Sequence, residues 1–150
     1  MESLFFQLKV AEINDVNRLV EFVEKAGVSS LGLEESYDCF VLMENGDREV
    51  VACIGVEPVG KYGLLRSLVV SDKLKQAHIL TLFQSIQTLS EQKGIHDLYL
   101  VTNREASVHF LELMGFVETD QQTIPQELLT LKHLSGSLEE DHVKIMVKSA

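Results

Sequence analysis

The 150-residue chain has no tryptophan, two cysteines and two prolines, and its thirteen lysines and arginines are outnumbered by twenty-three acidic residues. Each scarcity excludes something. Two isolated cysteines, Cys39 and Cys53, cannot build a disulfide framework, a C-x-x-C site or a zinc site, and read as small buried hydrophobes. The formal net charge of -10 speaks against nucleic acid and anionic membrane as partners, because affinity for both rests on Lys and Arg neutralising phosphates. No apolar run approaches the roughly 18 residues of a spanning helix. The opening stretch MESLFFQLKVAEIND lacks a basic segment followed by a long apolar run, so a cytoplasmic location is expected. With no repeat, low-complexity tract or Pro/Gly-rich linker, residues 1–150 read as one α/β domain.

What is present is a regular alternation of strand and helix patterns. Residues 5–10 read as a strand. Ile13, Val16, Leu19, Val20 and Val23 recur at helical spacing, with Gly27 as the residue that ends the helix. A weaker segment, SSLGLEES, follows. CFVLME and REVVACIGVEPVG flank Asn45-Gly46, the strongest turn signal in the chain, and predict a hairpin. Residues 62–70 predict a strand, and 77–93 a helix closed by Gly94. A strand over 96–102, a helix over 104–114 ending at Gly115, and a strand from Phe116 come next. Pro125 suits the first position of a short helix, PQELLTLKHL. Val143, Ile145 and Val147 alternate with Lys144, Met146 and Lys148 as in a half-buried last strand.

One junction stands out. The strand ending in Val69-Val70 stops at Ser71-Asp72 and passes directly into a helix with the apolar stripe Ile79, Leu82, Phe83, Ile86 and Leu89. Such a turn offers an anion the free N–H groups and the positive dipole end of a helix. Close approach of a phosphate usually calls for glycine, and none lies between Gly63 and Gly94.

The element order β-α-α-β-β-β-α-β-α-β-β, the V-V-S turn into a long helix, and Asn103, Ala106, Phe110, Met114, Gly115 and Phe116 in the pattern N-x-x-A-x-x-x-F-x-x-x-M-G-F together resemble the GNAT family of acetyl-CoA-dependent N-acetyltransferases. The resemblance covers roughly residues 6 to 148. GVEPVG-YGLLRSLVV and the later IPQELLTLKHLSGSLEEDHVKIMV look more narrowly like the small amino-acid acetylating branch, which includes arsenic-resistance-linked acetyltransferases and resembles N-acetylglutamate synthase. It implies a single mixed, mostly antiparallel sheet flanked by helices and splayed between the fourth and fifth strands. It also implies transfer of an acetyl group from acetyl-CoA to the amine of a small molecule such as an amino acid, without a metal. A homodimer is the default assembly.

The family's pyrophosphate turn reads Q/R-x-x-G-x-G/A, and here Lys75, Gln76, Ala77, His78, Ile79 and Leu80 stand against it. His78 and Leu80 replace the glycines. Lys75 and His78 are either cationic contacts to the diphosphate or solvated residues at a helix start. The resemblance further assigns the cofactor's thioester arm to Leu68, Val69 and Val70, adds Asn103 and Phe110 as cofactor neighbours, and makes the Val70 backbone N–H the oxyanion donor. A neutral amine attacking a thioester needs a group to take the ammonium proton. The family's usual glutamate and tyrosine correspond to Leu64 and Leu111. Glu57 is then the remaining base candidate, its alternative a solvated carboxylate at a strand end. Arg66 and Ser67 are candidate substrate contacts, Arg66 as a bidentate partner of a carboxylate. Tyr62, Tyr99 and His109 read as packing residues. Glu139, Glu140, Asp141 and His142 lack the spacing of a metal motif and read as a solvated acidic turn. The missing glycines and proton handlers leave a second reading open, a catalytically silent GNAT-fold binding or regulatory module.

Overall fold

The structure, a computed structural model, describes residues 5–139 and 142–149. Among these residues there are seven strands: β1 (Gln7–Val10), β2 (Phe40–Glu44), β3 (Val50–Val59), β4 (Tyr62–Val70), β5 (Asp97–Thr102), β6 (Val117–Thr119) and β7 (Lys144–Ser149). Four α-helices accompany them: α1 (Val16–Lys25), α2 (Gln76–Gln92), α3 (Glu105–Leu113) and α4 (Lys132–Leu138). The sheet order is β1-β2-β3-β4-β5-β7-β6. Neighbours β1/β2, β2/β3, β5/β7 and β6/β7 run antiparallel, and β4/β5 is a parallel pair. The expected mixed, mostly antiparallel sheet with flanking helices is therefore present.

The chain gathers into two compact units. One comprises the chain up to Val56 with Ser67–Ser90, the other Glu57–Arg66 with the chain from Glu91 onward. In the first, Leu19 and Val23 on one face of α1 pack with Ala11, Leu33, Phe40, Leu42 and Cys53. Phe40 lies opposite Gly55 in the β2/β3 ladder, and a Cβ at Gly55 would fall 2.6 Å from the Phe40 ring. Only glycine lets that ring lie flat across the strand. In the second unit, Leu64, Tyr99, Ile124, Leu128, Leu134 and Ile145 form the core.

Two helix ends show why the glycine signals were readable. After α1 the Val28 N–H donates to the Val23 carbonyl and the Gly27 N–H to that of Glu24. After α3, Phe116 and Gly115 repeat the pattern with Leu111 and Glu112. This 6→1 plus 5→2 pair needs a left-handed residue between, supplied by Gly27 at φ 76° and Gly115 at φ 96°. The M-G-F motif is such a cap, with Phe116 driven into the core.

Three expectations are corrected. Among the described residues, no second α-helix precedes β2. Its segment is a turn over 31–35 and a 3-10 turn, Tyr37–Cys39, pinned by the buried Leu33. PQELLTLKHL is not one helix but a 3-10 turn, Leu128–Thr130, then extended Leu131, then α4, which lets Leu128 and Leu134 both enter the core. On β7, Met146 is fully buried, not solvated, because both faces of that strand are covered there.

The first unit also buries charge. The Asp15 carboxylate accepts from the Glu12 N–H at 2.8 Å, from Arg18 Nε at 3.1 Å and Nη2 at 2.6 Å, and lies 3.0 Å from Lys9 Nζ. Arg18 Nη2 also reaches Glu44 Oε2 at 2.6 Å, and its Nη1 the Arg48 carbonyl at 2.8 Å. The Arg18 guanidinium thus ties α1, β2 and the β2–β3 turn together, and the Asp15 carboxylate it holds also meets Lys9 of β1. Burial alone would raise the Asp15 pKa, but the Glu12 N–H, Arg18 and Lys9 outweigh it and hold the carboxyl at about 2. A folded value below the unfolded one stabilises above the unfolded pKa and is lost as pH falls through the folded one. Asp15 therefore contributes about 2 kcal/mol at neutral pH that disappears between about pH 4 and pH 2. Urea midpoints measured across that range should fall steeply for the native chain, and Asp15→Asn should be less stable at pH 7 with a flatter acid limb.

Candidate active site

β4 is an irregular strand. Its parallel ladder to β5 joins Tyr62, Gly63 and Leu64 to Asp97, Leu98 and Tyr99, three pairs in a nine-residue strand. Ser67 then takes a left-handed backbone at φ 55°, uncommon for a non-glycine residue within a strand, and its carbonyl accepts the Cys53 thiol at 3.4 Å. Beyond it Leu68 is 39% exposed, Val69 packs on the first core, and Val70 is half-buried. Ser71 keeps the strand attached to β3 through its N–H to the Val51 carbonyl at 2.9 Å.

The turn into α2 is closed by its own side chains. Ser71 Oγ accepts the Lys73 N–H and Ser71 O the Leu74 N–H. The Lys75 carbonyl accepts from the N–H groups of His78 and Ile79, and in return His78 Nδ1 accepts the Lys75 N–H at 3.0 Å. Phe6, from the segment before β1, meets the His78 ring edge-on at a centroid distance of 4.6 Å. The next two N–H groups, those of Gln76 and Ala77, have no acceptor among the described residues, and both residues are exposed. These two donors, with the dipole of a 17-residue helix behind them, suit an anion. Lys73 and Lys75 are exposed beside them; Ile79 is half-buried and Leu80 is 39% exposed. Lys75, Gln76, Ala77 and His78 thus share one helix head, and His78 serves as an internal cap.

In the second unit Glu57 and Arg66 meet. Arg66 Nη1 donates to Glu57 Oε1 at 3.1 Å, with side chains 4% and 19% exposed for Arg66 and Glu57 respectively. Arg66 is thus not on a solvated face, and Glu57 is not a free-standing carboxylate at a strand end. Leu64 and Leu111 are both buried in apolar surroundings. Tyr99 lies in the core, and its phenol is pushed up by burial, with Asp97 and Tyr62 adding to the effect. Asn103 and His109 are exposed and Phe110 is half-buried, Asn103 just before α3 and the other two on it. Two features carried no sequence signal: the left-handed backbone at Ser67 and the contact of Phe6 with His78. An aromatic residue next to an N-terminal strand has no spacing that ties it to a helix seventy residues away. Glu140 and Asp141 of the acidic turn lie outside the described residues, among which no group of three metal-ligating side chains occurs. Among them, too, no helix is long and apolar enough to cross a membrane.

No protein-family model matches the chain. Solved structures resemble it over nearly its whole length. N-acetylglutamate synthase from Neisseria gonorrhoeae, complexed with coenzyme A and N-acetyl-glutamate, matches with a TM-score of 0.77 at 18% identity over 99% of this chain. This chain spans 36% of the length of that one. Rv2747 from Mycobacterium tuberculosis, in complex with CoA, gives 0.75 at 15% identity over 96% of this chain and 99% of its own. A GNAT-family acetyltransferase from Staphylococcus aureus Mu50 gives 0.73 at 15% identity, over 97% and 99%. With the strand order above, these neighbours define the class: the chain has the fold of the GNAT acetyltransferases. By sequence it belongs to the same family as the uncharacterized protein YwlB of Bacillus subtilis (strain 168), to which it is 38% identical over 148 residues, 98% of this chain and 99% of YwlB.

The Glu57–Arg66 pair has a measurable signature. Removing one partner of a largely desolvated pair takes an ion-pair contact from the other charge and destabilises, whereas replacing both by uncharged groups costs less. In urea denaturation Glu57→Gln should destabilise clearly, and Glu57→Gln combined with Arg66→Met should recover part of that loss. Additive losses would show that the two side chains are not coupled.

Proposed function

We propose that the chain is an acetyl-CoA-dependent N-acyltransferase acting on the amine of a small molecule, an amino acid being the acceptor class suggested by its resemblance to the amino-acid acetylating branch. The observation that carries this reading is the head of α2, where the N–H groups of Gln76 and Ala77 stand open in a GNAT-fold chain. They fit a diphosphate. The side chains of His78 and Leu80, where the family has glycine, fit it less well and point to a weakened or reshaped cofactor site.

When bound, acetyl-CoA supplies the activated acyl group. Each residue's part then follows from its chemistry. Gln76 and Ala77 donate N–H groups to the diphosphate, with Lys75 adding charge and His78, Ile79 and Leu80 bounding the turn. Leu68 and Val69 would line the thioester arm. The Val70 N–H would be the donor for the oxyanion, a role for which a fixed backbone dipole needs no reorganisation. Glu57 takes the ammonium proton of the acceptor, directly or through water. Arg66 and Ser67 position the acceptor, Arg66 through a carboxylate. Leu111 can supply no proton, and a leaving thiolate with a free pKa near 8.5 would not require one.

Titration calorimetry with acetyl-CoA, followed by thiol release with an amine and amino-acid panel, checks this directly. Saturable binding below millimolar concentration with turnover of at least one amino acid is expected. No binding at millimolar cofactor would remove the reading. Binding without thiol release from any amine would leave a silent GNAT-fold module instead.

A further inference from the structure

We infer that the His78 imidazole is a built-in competitor for the anion at the head of α2, one that lets go when it is protonated. The inference rests on the reading of this turn as a CoA diphosphate site, and it adds a control to that site. His78 Nδ1 accepts the Lys75 N–H at 3.0 Å, while the His78 N–H returns to the Lys75 carbonyl at 2.9 Å. The ring therefore occupies the donor immediately before those of Gln76 and Ala77, and it does so at a position where the motif of related turns has glycine. A phosphate settling on all three consecutive N–H groups must displace it.

A ring nitrogen can accept a hydrogen bond only while it carries no proton. When solvent delivers a proton to Nδ1, acceptor becomes donor, the two N–H groups oppose one another, and the ring must turn away from Lys75. The Lys75 N–H is released in the same step. The imidazolium then carries a positive charge beside the site, where a neutral ring had competed for it. The charged groups of the same turn are Asp72, Lys73 and Lys75, all exposed. Among the described residues of the segment before β1, the group packed on the ring is Phe6, which is uncharged and meets the imidazole edge-on without supplying a hydrogen bond. Among the described residues, the ring can thus rotate without breaking an ion pair to that segment.

The test is CoA binding by calorimetry to the full chain and to His78→Ala and His78→Asn, at about pH 8 and about pH 5.5. CoA ionises identically in every titration, so the difference between proteins is the readout. At the higher pH, His78→Ala should bind CoA about five- to tenfold more tightly than the native chain, the value of one recovered hydrogen-bond donor. At the lower pH that gap should close. Asn offers an acceptor that does not titrate, so His78→Asn should bind weakly at both. Alanine is a good helix former, and far-UV circular dichroism verifies that the variants are folded. If CoA binds the native chain and His78→Ala equally, or with the same ratio at both pH values, the inference is overturned while the acyltransferase reading stands. If no protein binds CoA at millimolar concentration at either pH, both are overturned.

Discussion

The parallel ladder between β4 and β5 ends at Leu64↔Tyr99, and what β4 does afterwards governs the rest. A strand that keeps two hydrogen-bonded neighbours throughout has no main-chain groups to spare. At Ser67 the backbone turns left-handed, and the last three residues of β4, Leu68 to Val70, lead into a turn with no glycine. The chain still pairs with β3 beyond the break, through Ser71 and Val51, so the strand end is held rather than frayed. Every residue proposed to meet the thioester arm or the diphosphate in this unit follows within thirteen residues of Ser67.

The head of α2 shows how a turn can keep a helix terminus and change its chemistry. Backbone N–H groups and dipole survive any side chain, so the capacity to meet an anion remains. What glycine gives up to solvent, His78 fills with its own ring, and one donor is satisfied internally. That arrangement stabilises the helix start in the ligand-free chain and competes with the ligand for the same hydrogen bond. The overall charge of -10 acts in the same direction, since an anionic cofactor must approach a surface whose basic residues are few and local.

Much of the fold was legible in the sequence because its signals are local. The limits of β4 read directly from Tyr62 to Val70, and Gly27 and Gly115 marked helix ends because only a left-handed residue closes those caps. The head of α2 was legible for the same reason. The misreadings came where packing decides. Leucines at 128, 129, 131 and 134 fit a helical stripe, yet the core takes Leu128 and Leu134 from two separate turns. Lys144, Met146 and Lys148 alternate like a wet face, yet Met146 is buried because side chains cover both sides of β7. The pairing of Glu57 with Arg66 depends on how β3 and β4 lie beside one another, which spacing alone does not encode. The ring of Phe6 on His78 is a contact over seventy residues, invisible to any local pattern.

The central claim is that the head of α2 holds a CoA diphosphate on the N–H groups of Gln76 and Ala77. The most direct measurement is an electron-density map of a crystal soaked in acetyl-CoA. The account predicts diphosphate density against those two N–H groups, with the acyl arm along Leu68 to Val70. A map with the turn still closed by His78 and no cofactor there, or with the cofactor bound elsewhere on the chain, would contradict it.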